Sequence, residues 1–313
     1  MAPFFKPLRT LNGGLLLALL VALGPGASPA PASPYSDINA AAKAGPIIAH
    51  PLRGNLVMLE GSGGNITALS GVDGFVLVDC GIAVSQAMIV DALERIDRRP
   101  IHLAILTHWH WDHADGAAWI RRTGASIMAD KVAVERLNST LRVVEWEHTF
   151  TPIPPAALPN IVIDDDRQVQ ANGETILVRH YEPGHTDTDI SVYFTKSDVL
   201  SVGDTFWNGQ YPFIDYVGGG SIDGAIRAAN ANINMSTDNT IIVPGHGSVG
   251  DRASLIAFRD MLVEIRSIIA ALKASGMTLE QVQAAKPTAA FDAKWGRSII
   301  SGQLFTALVY RGV

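Results

Sequence analysis

The most informative stretch of this chain is Thr107-His108-Trp109-His110-Trp111-Asp112-His113, which directly follows the apolar run 101–106. That run has the length and composition of a buried strand, so the motif begins on the loop that leaves the strand's end. Four side chains able to bind a metal fall within six positions. The first two histidines can turn toward one ion while Asp112 and His113 face a neighbouring one. Imidazole nitrogen and carboxylate oxygen are donors that suit zinc, so the pattern H-x-H-x-D-H predicts a metal site.

Three later turns repeat one local arrangement, a short apolar strand followed by a turn that carries a possible ligand. They are Pro183-Gly184-His185-Thr186, Gly203-Asp204-Thr205 and Pro244-Gly245-His246-Gly247. The glycine beside each ligand lets the backbone bend sharply. Each turn alone is a weak signal, but together with the first motif they predict one shared site. The remaining histidines have no motif around them and are expected in the core or on the surface: His50, His102, His148 and His180.

The composition limits the chemistry that this chain can perform. Its 313 residues are 48% hydrophobic and 17% charged, as in an ordinary globular protein that can bury a core without disulfides. The single cysteine, Cys80, can form neither an internal disulfide nor a cysteine-based zinc cluster, so any metal ligands must be histidine and carboxylate. The formal charge of -6 and the absence of a basic run weigh against nucleic acid binding. We therefore expect a small-molecule substrate.

Residues 1–32 are predicted to be a secretory signal peptide. Lys6 and Arg9 precede the apolar run 15–23, and Ala30-Pro31-Ala32 offers a small-x-small cleavage site. The run is shorter than the roughly 20 residues that span a bilayer, and an uncleaved anchor is the alternative. Cleavage would remove two positive charges and change the formal charge to -6 - 2 = -8. We expect an exported, periplasmic protein with no stable membrane association after cleavage.

The remaining chain shows two similar strand-rich halves, each closed by helices. Strands are predicted within 55–79 and at 101–106, 176–178, 190–194, 199–202 and 241–243. Helices are predicted from Val84 to Ile96, through Ile226, from Asp251, from Thr278 and from Trp295 to Tyr310. Because no long polar linker separates the halves, this order predicts one layered α/β domain over residues 33–313, with a helical extension at its C-terminal end.

Taken in order, the ligand motifs resemble those of the metallo-β-lactamase superfamily of metal-dependent hydrolases. The resemblance covers roughly residues 50–250 and implies a four-layer αβ/βα sandwich, with a dinuclear metal site at one edge between the halves. It further implies that Asp79 supports the ligands from behind, while capping of the next turn is the alternative role for this residue. By the same resemblance, one zinc is held by His108, His110 and His185, the other by Asp112, His113 and His246, and Asp204 bridges both. Manganese and iron accept the same ligand types.

Departures from the β-lactamase patterns bear on the substrate. The β-lactamases with a cysteine zinc ligand would need it near Gly203-Asp204-Thr205, and the other main dizinc subclass lacks a bridging carboxylate at this point. The Gly-Asp-Thr turn is similar instead to glyoxalase II, lactonases and general hydrolases of the superfamily. The flavin-linked diiron branch usually has glutamate in place of His110, which disfavours redox chemistry. The segments 203–224 and 286–296 are similar to exported, poorly characterised bacterial β-lactamase-like hydrolases.

These residues predict a hydrolase that directs a metal-bridging hydroxide at a carbonyl carbon. Asp204 and Asp112 are the predicted catalytic residues, the first holding the nucleophile between the ions and the second accepting or orienting its proton. The first choice of substrate is a β-lactam or a related cyclic amide or ester. The alternative is a thioester or lactone, as in glyoxalase II, and a phosphodiester is less favoured because the chain is acidic. A non-catalytic metal-binding protein is the competing class, which a full set of seven ligands disfavours.

Aromatic residues cluster near the ligand motifs in sequence, and each is expected either to line the substrate pocket or to lie in the core beneath the loops. They are Trp109, Trp111, Trp207, Tyr211 and Phe213.

Overall fold

A computed structural model describes residues 33–313 of the chain. The predicted signal peptide, residues 1–32, lies outside these described residues. Residues 33–313 cluster as one unit. Within this part of the chain, no helix combines the length and the apolar character needed to cross a bilayer.

Helices and strands alternate along the first half, and helices dominate after residue 250. The helices are α1 (Pro34–Ala44), α2 (Gln86–Ile96), α3 (Trp111–Ala114), α4 (Ala117–Arg122), α5 (Lys131–Leu137), α6 (Ile222–Met235), α7 (Arg252–Ala274), α8 (Leu279–Ala284), α9 (Asp292–Trp295) and α10 (Gly302–Gly312). The strands are β1 (Ile48–Pro51), β2 (Leu56–Glu60), β3 (Ile66–Leu69), β4 (Phe75–Val78), β5 (Ile101–Ile105), β6 (Ser126–Asp130), β7 (Leu141–Val143), β8 (His148–Phe150), β9 (Ile161–Ile163), β10 (Arg167–Ala171), β11 (Glu174–His180), β12 (Ile190–Phe194), β13 (Val199–Ser201) and β14 (Ile241–Val243).

Two large sheets correspond to the two halves of the sequence. The first has seven strands in the order β1-β2-β3-β4-β5-β6-β9, and the second has five in the order β10-β11-β12-β13-β14. Strands β4, β5, β6 and β9 run parallel, as do β13 and β14. Parallel neighbours bring their carboxyl ends to the same edge of a sheet. The loops that leave β4, β5, β13 and β14 carry Asp79 and four of the predicted ligands, His108, His110, Asp204 and His246.

The two sheets pack face to face and helices cover their outer faces. Met58, Val76 and Ile105 of the first sheet lie in one buried apolar cluster with Val178 and Val192 of the second. A second cluster joins the outer faces to the helices, and it includes apolar side chains of α2, α4, α6 and α7. This order of helix, sheet, sheet and helix confirms the predicted αβ/βα sandwich.

The C-terminal region differs from the single helix predicted from Trp295 to Tyr310. The structure has the short α9 and then α10, separated by a non-helical segment over 296–301. The backbone N–H of Tyr211 donates to the Trp295 carbonyl at 2.8 Å, so that carbonyl bonds another part of the chain rather than a following helical turn. Ser301 then caps the start of α10 by accepting from Leu304 N. The prediction of one continuous helix was wrong because it ignored these contacts.

Helix α1 was not predicted, although its start carries a recognisable signal. Ser33 and Ser36 form a capping box, and Pro34 occupies the first helical turn, where its missing N–H costs nothing. Tyr35 and Ile38 are the only large apolar side chains of this helix, so its hydrophobic periodicity is weak. Its position matters for function because Ile38, Ala41 and Ala42 line the main cavity described below.

Candidate metal centre

All seven predicted ligands meet at one edge of the sandwich, where strand ends from both sheets converge. His108 lies just after β5, and His110, Asp112 and His113 lie at the start of α3 or within it. His185 lies on the loop between β11 and β12, while Asp204 and His246 follow β13 and β14. The side chains form two groups able to hold a metal, whose donor atoms lie within 4.8 Å of one another: His108, His110, His185 and Asp204 in the first group, and Asp112, His113 and His246 in the second.

Asp204 faces both groups, one carboxylate oxygen toward each. Its Oδ2 lies 3.4 Å from His185 Nε2 and 3.8 Å from His108 Nε2. Its Oδ1 lies 3.0 Å from His113 Nε2 and 3.4 Å from His246 Nε2. This is the arrangement that a bridging carboxylate requires, and it is what the sequence predicts for this residue.

One buried carboxylate, that of Asp79, orients a histidine in each group. His113 Nδ1 lies 2.8 Å from Asp79 Oδ2, and the Thr107 hydroxyl donates to the same oxygen at 2.9 Å. Thr107 Oγ1 in turn lies 2.9 Å from His108 Nδ1. Because the proton of the Thr107 hydroxyl points to Asp79, the hydroxyl oxygen accepts a hydrogen bond from His108 Nδ1. The network therefore assigns a proton to Nδ1 of both His108 and His113. The Nε2 atoms of His108 and His113 are thereby left free as ligands, which supports the predicted role of Asp79.

The two other histidines of the first group are fixed in the same manner. His110 Nε2 lies 2.9 Å from Asp215 Oδ2, which leaves Nδ1 as the ligand atom. Asp215 is itself buried and accepts from the backbone N–H groups of Val217 and Gly218. His185 Nδ1 donates to the Phe213 carbonyl at 2.8 Å. Sequence reasoning missed Asp215, since no motif marks it and it meets His110 only through folding.

The pKa values of the ligand side chains show how burial and neighbouring charges act on the centre. Burial lowers the pKa of His185 to about 4, so this imidazole is neutral. Burial also acts to lower the pKa of His246, but the Asp204 and Asp112 carboxylates outweigh it and raise that pKa to about 9. Histidines such as His246 and His113 hold the pKa of Asp204 well below its usual range against the effect of burial. The centre therefore combines a neutral imidazole at His185 with a protonated one at His246, and its carboxylates attract positive charge.

The residues fit two cations closely. His108 Nε2 and Asp204 Oδ1 are shielded from solvent and have no hydrogen-bond partner in acceptable geometry among the described residues. His185 Nε2 and His110 Nδ1 face each other at 3.0 Å. Two acceptor nitrogens at this separation repel each other unless they share a positive charge. Buried nitrogen and oxygen atoms that have no hydrogen-bond partner in the protein are the ligand atoms that a dinuclear metal site requires.

Two glycines allow the backbone to approach the ligands. A Cβ atom at Gly64 would overlap the His113 ring, and one at Gly245 would overlap the Asp204 carboxylate. The hairpin loop 61–65 is held against the ligand loops by the Gly64 N–H, which donates to the Asp112 carbonyl at 3.2 Å, and by the Asn65 N–H, which donates to the Gly245 carbonyl at 2.8 Å.

Asn65 is a further residue that sequence reasoning missed. Its side chain is buried and donates to the carbonyls of Pro244 at 3.0 Å and Gly247 at 2.9 Å. These two carbonyls flank His246 in the sequence, so Asn65 fixes the loop that carries this ligand. In the sequence, Asn65 is marked only as a polar residue at the tip of a hairpin, and such residues are usually exposed.

The metal centre lies at one side of a cavity of about 500 Å³. That volume is in the range of small-molecule sites. His110, Asp112, Asp204 and His246 line it, together with Trp111, Trp146, Trp207 and Phe213. Of the five aromatic residues predicted as wall or core, three therefore line the cavity. Trp109 lines a separate, smaller cavity, and Tyr211 stacks on Phe305 in the core.

The other histidines and the cysteine lie outside both ligand groups. His50 lies 2.8 Å from Glu60, and His148 stacks on Tyr35. Cys80 is buried next to Asp79, and burial raises the pKa of its thiol well above the ordinary value. A thiol that stays protonated is a poor metal ligand.

Comparison with known proteins agrees with this geometry. A family model described as the metallo-beta-lactamase superfamily matches residues 59–246. The chain belongs to this superfamily, and its two His/Asp ligand groups fit a dinuclear metal site of that family.

Solved structures share the fold at low sequence identity. The sec-alkylsulfatase Pisa1 from Pseudomonas sp. is 18% identical, with a TM-score of 0.64 over 84% of this chain and 50% of that one. The DIM-1 metallo-beta-lactamase is 19% identical, with a TM-score of 0.56 over 70% of this chain and 98% of that one. A metallo-beta-lactamase from Pontibacter korlensis is 16% identical, with a TM-score of 0.56 over 69% of this chain and 99% of that one. The chain spans about half the length of the alkylsulfatase.

Proposed function

We propose that this protein is a dinuclear zinc hydrolase that cleaves the acyl bond of a β-lactam or a related cyclic amide or ester. The observation that carries the proposal is the position of Asp204, whose two oxygens face two separate ligand groups beside an apolar cavity. A bridged pair of cations next to a small-molecule cavity is suited to hydrolysis of a carbonyl compound.

Two bound divalent ions would lower the pKa of water and polarise the carbonyl of the substrate, while the protein's own residues hold the geometry. His108, His110 and His185 would each present one ring nitrogen toward one site, and each ring is fixed by a hydrogen bond at its other nitrogen. Asp204 would contribute one oxygen to each site. Asp112 and His246 both line the cavity, and Asp112 Oδ2 lies 3.2 Å from His246 Nε2.

Asp112 is the residue best placed to handle the proton of the attacking water. Its carboxylate belongs to the second ligand group and still faces the cavity in which the substrate binds. A carboxylate within hydrogen-bond reach of the nucleophile can accept or orient that proton. Trp111 and Trp207 line the same cavity and limit the access of other water molecules.

The test compares zinc-loaded and chelator-treated protein on a panel of β-lactams, lactones, thioesters and phosphodiesters. We expect turnover of at least one cyclic amide or ester that disappears on chelation and returns with zinc. Asp204→Ala should have no measurable turnover and should bind fewer ions. Full activity of the metal-free protein would refute a metal-dependent mechanism, and strong turnover of thioesters alone would exclude the first choice of substrate.

Hydrolysis of a lactone or thioester is the second candidate. It is favoured by Asp204, because the Gly203-Asp204-Thr205 turn is similar to that of glyoxalase II and lactonases. If the panel above shows that a lactone or thioester is hydrolysed faster than every β-lactam, the result favours this candidate.

We also propose that the protein is exported to the periplasm with residues 1–32 removed. The proposal is supported by the basic, apolar and small-residue order of that segment. Sequencing of the mature N-terminus after cell fractionation should find a periplasmic chain that starts at about Ser33. A cytoplasmic chain that keeps Met1 would refute it.

A further inference from the structure

We propose that the cavity selects uncharged substrates with an apolar substituent and discriminates against substrates that carry a carboxylate or sulfate group. The inference rests on the proposed function, since it concerns the substrate of the same centre. It narrows that proposal, because most β-lactams are anions whereas simple lactones, esters and amides are neutral.

Much of the cavity wall is apolar. Trp111, Trp146 and Trp207 are all at least 93% buried, and they form an aromatic wall next to the ligands. Helix α1 adds Ile38 and the small side chains of Ala41 and Ala42. Such surfaces stabilise an alkyl or aryl substituent by removing its apolar area from water.

The apolar surface continues to the rim of the cavity. Ile48 and Ile299 line it and are 49% and 50% exposed, among the most exposed large apolar side chains in the described part of the chain. They come from β1 and from the segment between α9 and α10, so the rim joins two distant parts of the sequence. An exposed apolar rim that leads to buried tryptophans suits a substrate with an extended apolar tail.

The described lining of the cavity offers an anionic substrate no unpaired cationic side chain, since His246, whose pKa is raised to about 9, already faces the carboxylates of Asp112 and Asp204. Among the described residues that line it, none is lysine or arginine. Arg297 precedes Ser298 in the lining but is itself exposed and does not line the cavity. The uncharged polar groups that do line it include Gln210 and Ser298. Arg136 forms a half-buried ion pair with Asp187, on the loop that carries His185, so this arginine is already neutralised.

The charged lining residue other than the metal ligands is Glu60, at the cavity mouth. Its carboxylate is about 40% exposed and lies 2.8 Å from His50. A carboxylate at this place repels an incoming anion. Two bound cations would supply positive charge at the reacting bond itself, where the carboxylates of Asp112 and Asp204 offset half of it. A second anionic group on the substrate would have to leave water for walls that offer it no partner, which is costly.

The experiment compares neutral substrates with anionic ones. With zinc-loaded protein, a chromogenic β-lactam is compared as its free acid and its methyl ester, and a γ-lactone with an alkyl tail is compared with a sec-alkyl sulfate of similar length. We expect kcat/KM for ring opening of the ester to exceed that of the acid by at least about tenfold. We expect turnover of the lactone and none of the sulfate.

A binding arm separates selectivity from catalysis. Quenching of tryptophan fluorescence reports the occupied cavity, since three of the six tryptophans of the chain line it. With chelator present, so that no ion holds the carboxylate, 4-phenylbutyramide should bind at least about tenfold more tightly than 4-phenylbutyrate.

Two variants test the stated cause. Gln210→Arg places a cation in the lining, at a side chain that makes no hydrogen bond among the described residues, and should raise kcat/KM for the free acid by about tenfold or more. Glu60→Gln removes the repelling charge and should give a smaller gain for the same substrate. Gln168→Arg adds the same charge on the exposed strand β10, away from the cavity, and controls for net charge.

The outcomes distinguish this inference from the proposed function. Equal or better turnover of the free acid, or equal binding of amide and acid, would overturn the selectivity while leaving the hydrolase intact. If no β-lactam, ester or lactone is turned over but the amide still binds more tightly, the proposed function fails and the selectivity stands.

Discussion

At the scale of single residues, the centre depends on Asp79 as much as on the ligands. This carboxylate accepts from His113 Nδ1, from the Thr107 hydroxyl and from the Thr107 N–H, the last at 2.7 Å. Through Thr107 it also determines which nitrogen of His108 is free. One buried side chain therefore orients a ligand in each of the two groups.

Replacement of Asp79 by asparagine should weaken both metal sites. Asparagine has nearly the same size as aspartate. However, its amide N–H would face the N–H of His113, so the His113 ring loses its hydrogen-bond acceptor or turns. Changes of this kind typically reduce metal affinity about 10–100-fold. Competition with a chromophoric chelator measures it. Asp73→Asn makes the same chemical change at an exposed turn and should bind zinc as the native protein does. Unchanged affinity in Asp79→Asn would show that Asp79 only shapes the turn.

At the scale of elements, the hairpin loop between β2 and β3 braces the loop that carries His246. Asn65→Ala removes the donor of two hydrogen bonds and leaves the carbonyls of Pro244 and Gly247 without it. We expect the free energy of unfolding to fall by about 1–3 kcal/mol. Zinc binding by the second ligand group, which contains His246, should weaken more than zinc binding by the first group. Urea unfolding and metal titration measure both effects. Equal weakening of the two sites would contradict a specific brace on His246.

Helix α7 offers a test of stability against pH away from the metal. Asp251 caps it by accepting from the Ser254 N–H at 2.7 Å, and this bond together with the Ser254 hydroxyl holds the pKa of Asp251 below its usual range. A carboxyl group with a lowered pKa in the folded state stabilises the protein above its unfolded pKa, roughly 4, and loses this effect as the pH falls through the folded value.

We therefore expect Asp251→Ala to lower the free energy of unfolding by about 1 kcal/mol at pH 7, as for other N-caps. The deficit should shrink between pH 7 and pH 3, because over that range the carboxyl group of the unfolded chain takes up a proton before the folded one does. Denaturant unfolding of chelator-treated protein at the two pH values measures the difference. Asp251→Asn keeps a capping oxygen and should cost only a few tenths of a kcal/mol at pH 7. A deficit for the alanine variant that does not change with pH would contradict the role of the charge.

At the scale of the whole molecule, the sequence predicts what is local and misses what is made by packing. Asp204 and His246 were found because each follows a short apolar strand and a glycine within a few residues. Asp215 and Asn65 reach their partners across 105 and 179 or more positions, and no spacing rule connects them. Trp146 lines the cavity although nothing near it in sequence marks a site. The wall of a cavity depends on which elements meet, and only the folded chain decides that.

Because the ligand residues come from both halves of the chain, bound metal ions would link the two halves. His108 and His113 belong to the first half, whereas His185 and His246 belong to the second. Ions that bind only the folded protein stabilise it by about 2.7 kcal/mol for each site at a free concentration 100 times Kd. At roughly 2–4 °C per kcal/mol, chelation should lower Tm by roughly 10–20 °C. Calorimetry with zinc and with chelator measures the shift. Asp204→Ala, which removes the carboxylate shared by the two groups, should show a much smaller response to chelation. If the native protein melts at the same temperature in both conditions, the ions do not join the halves.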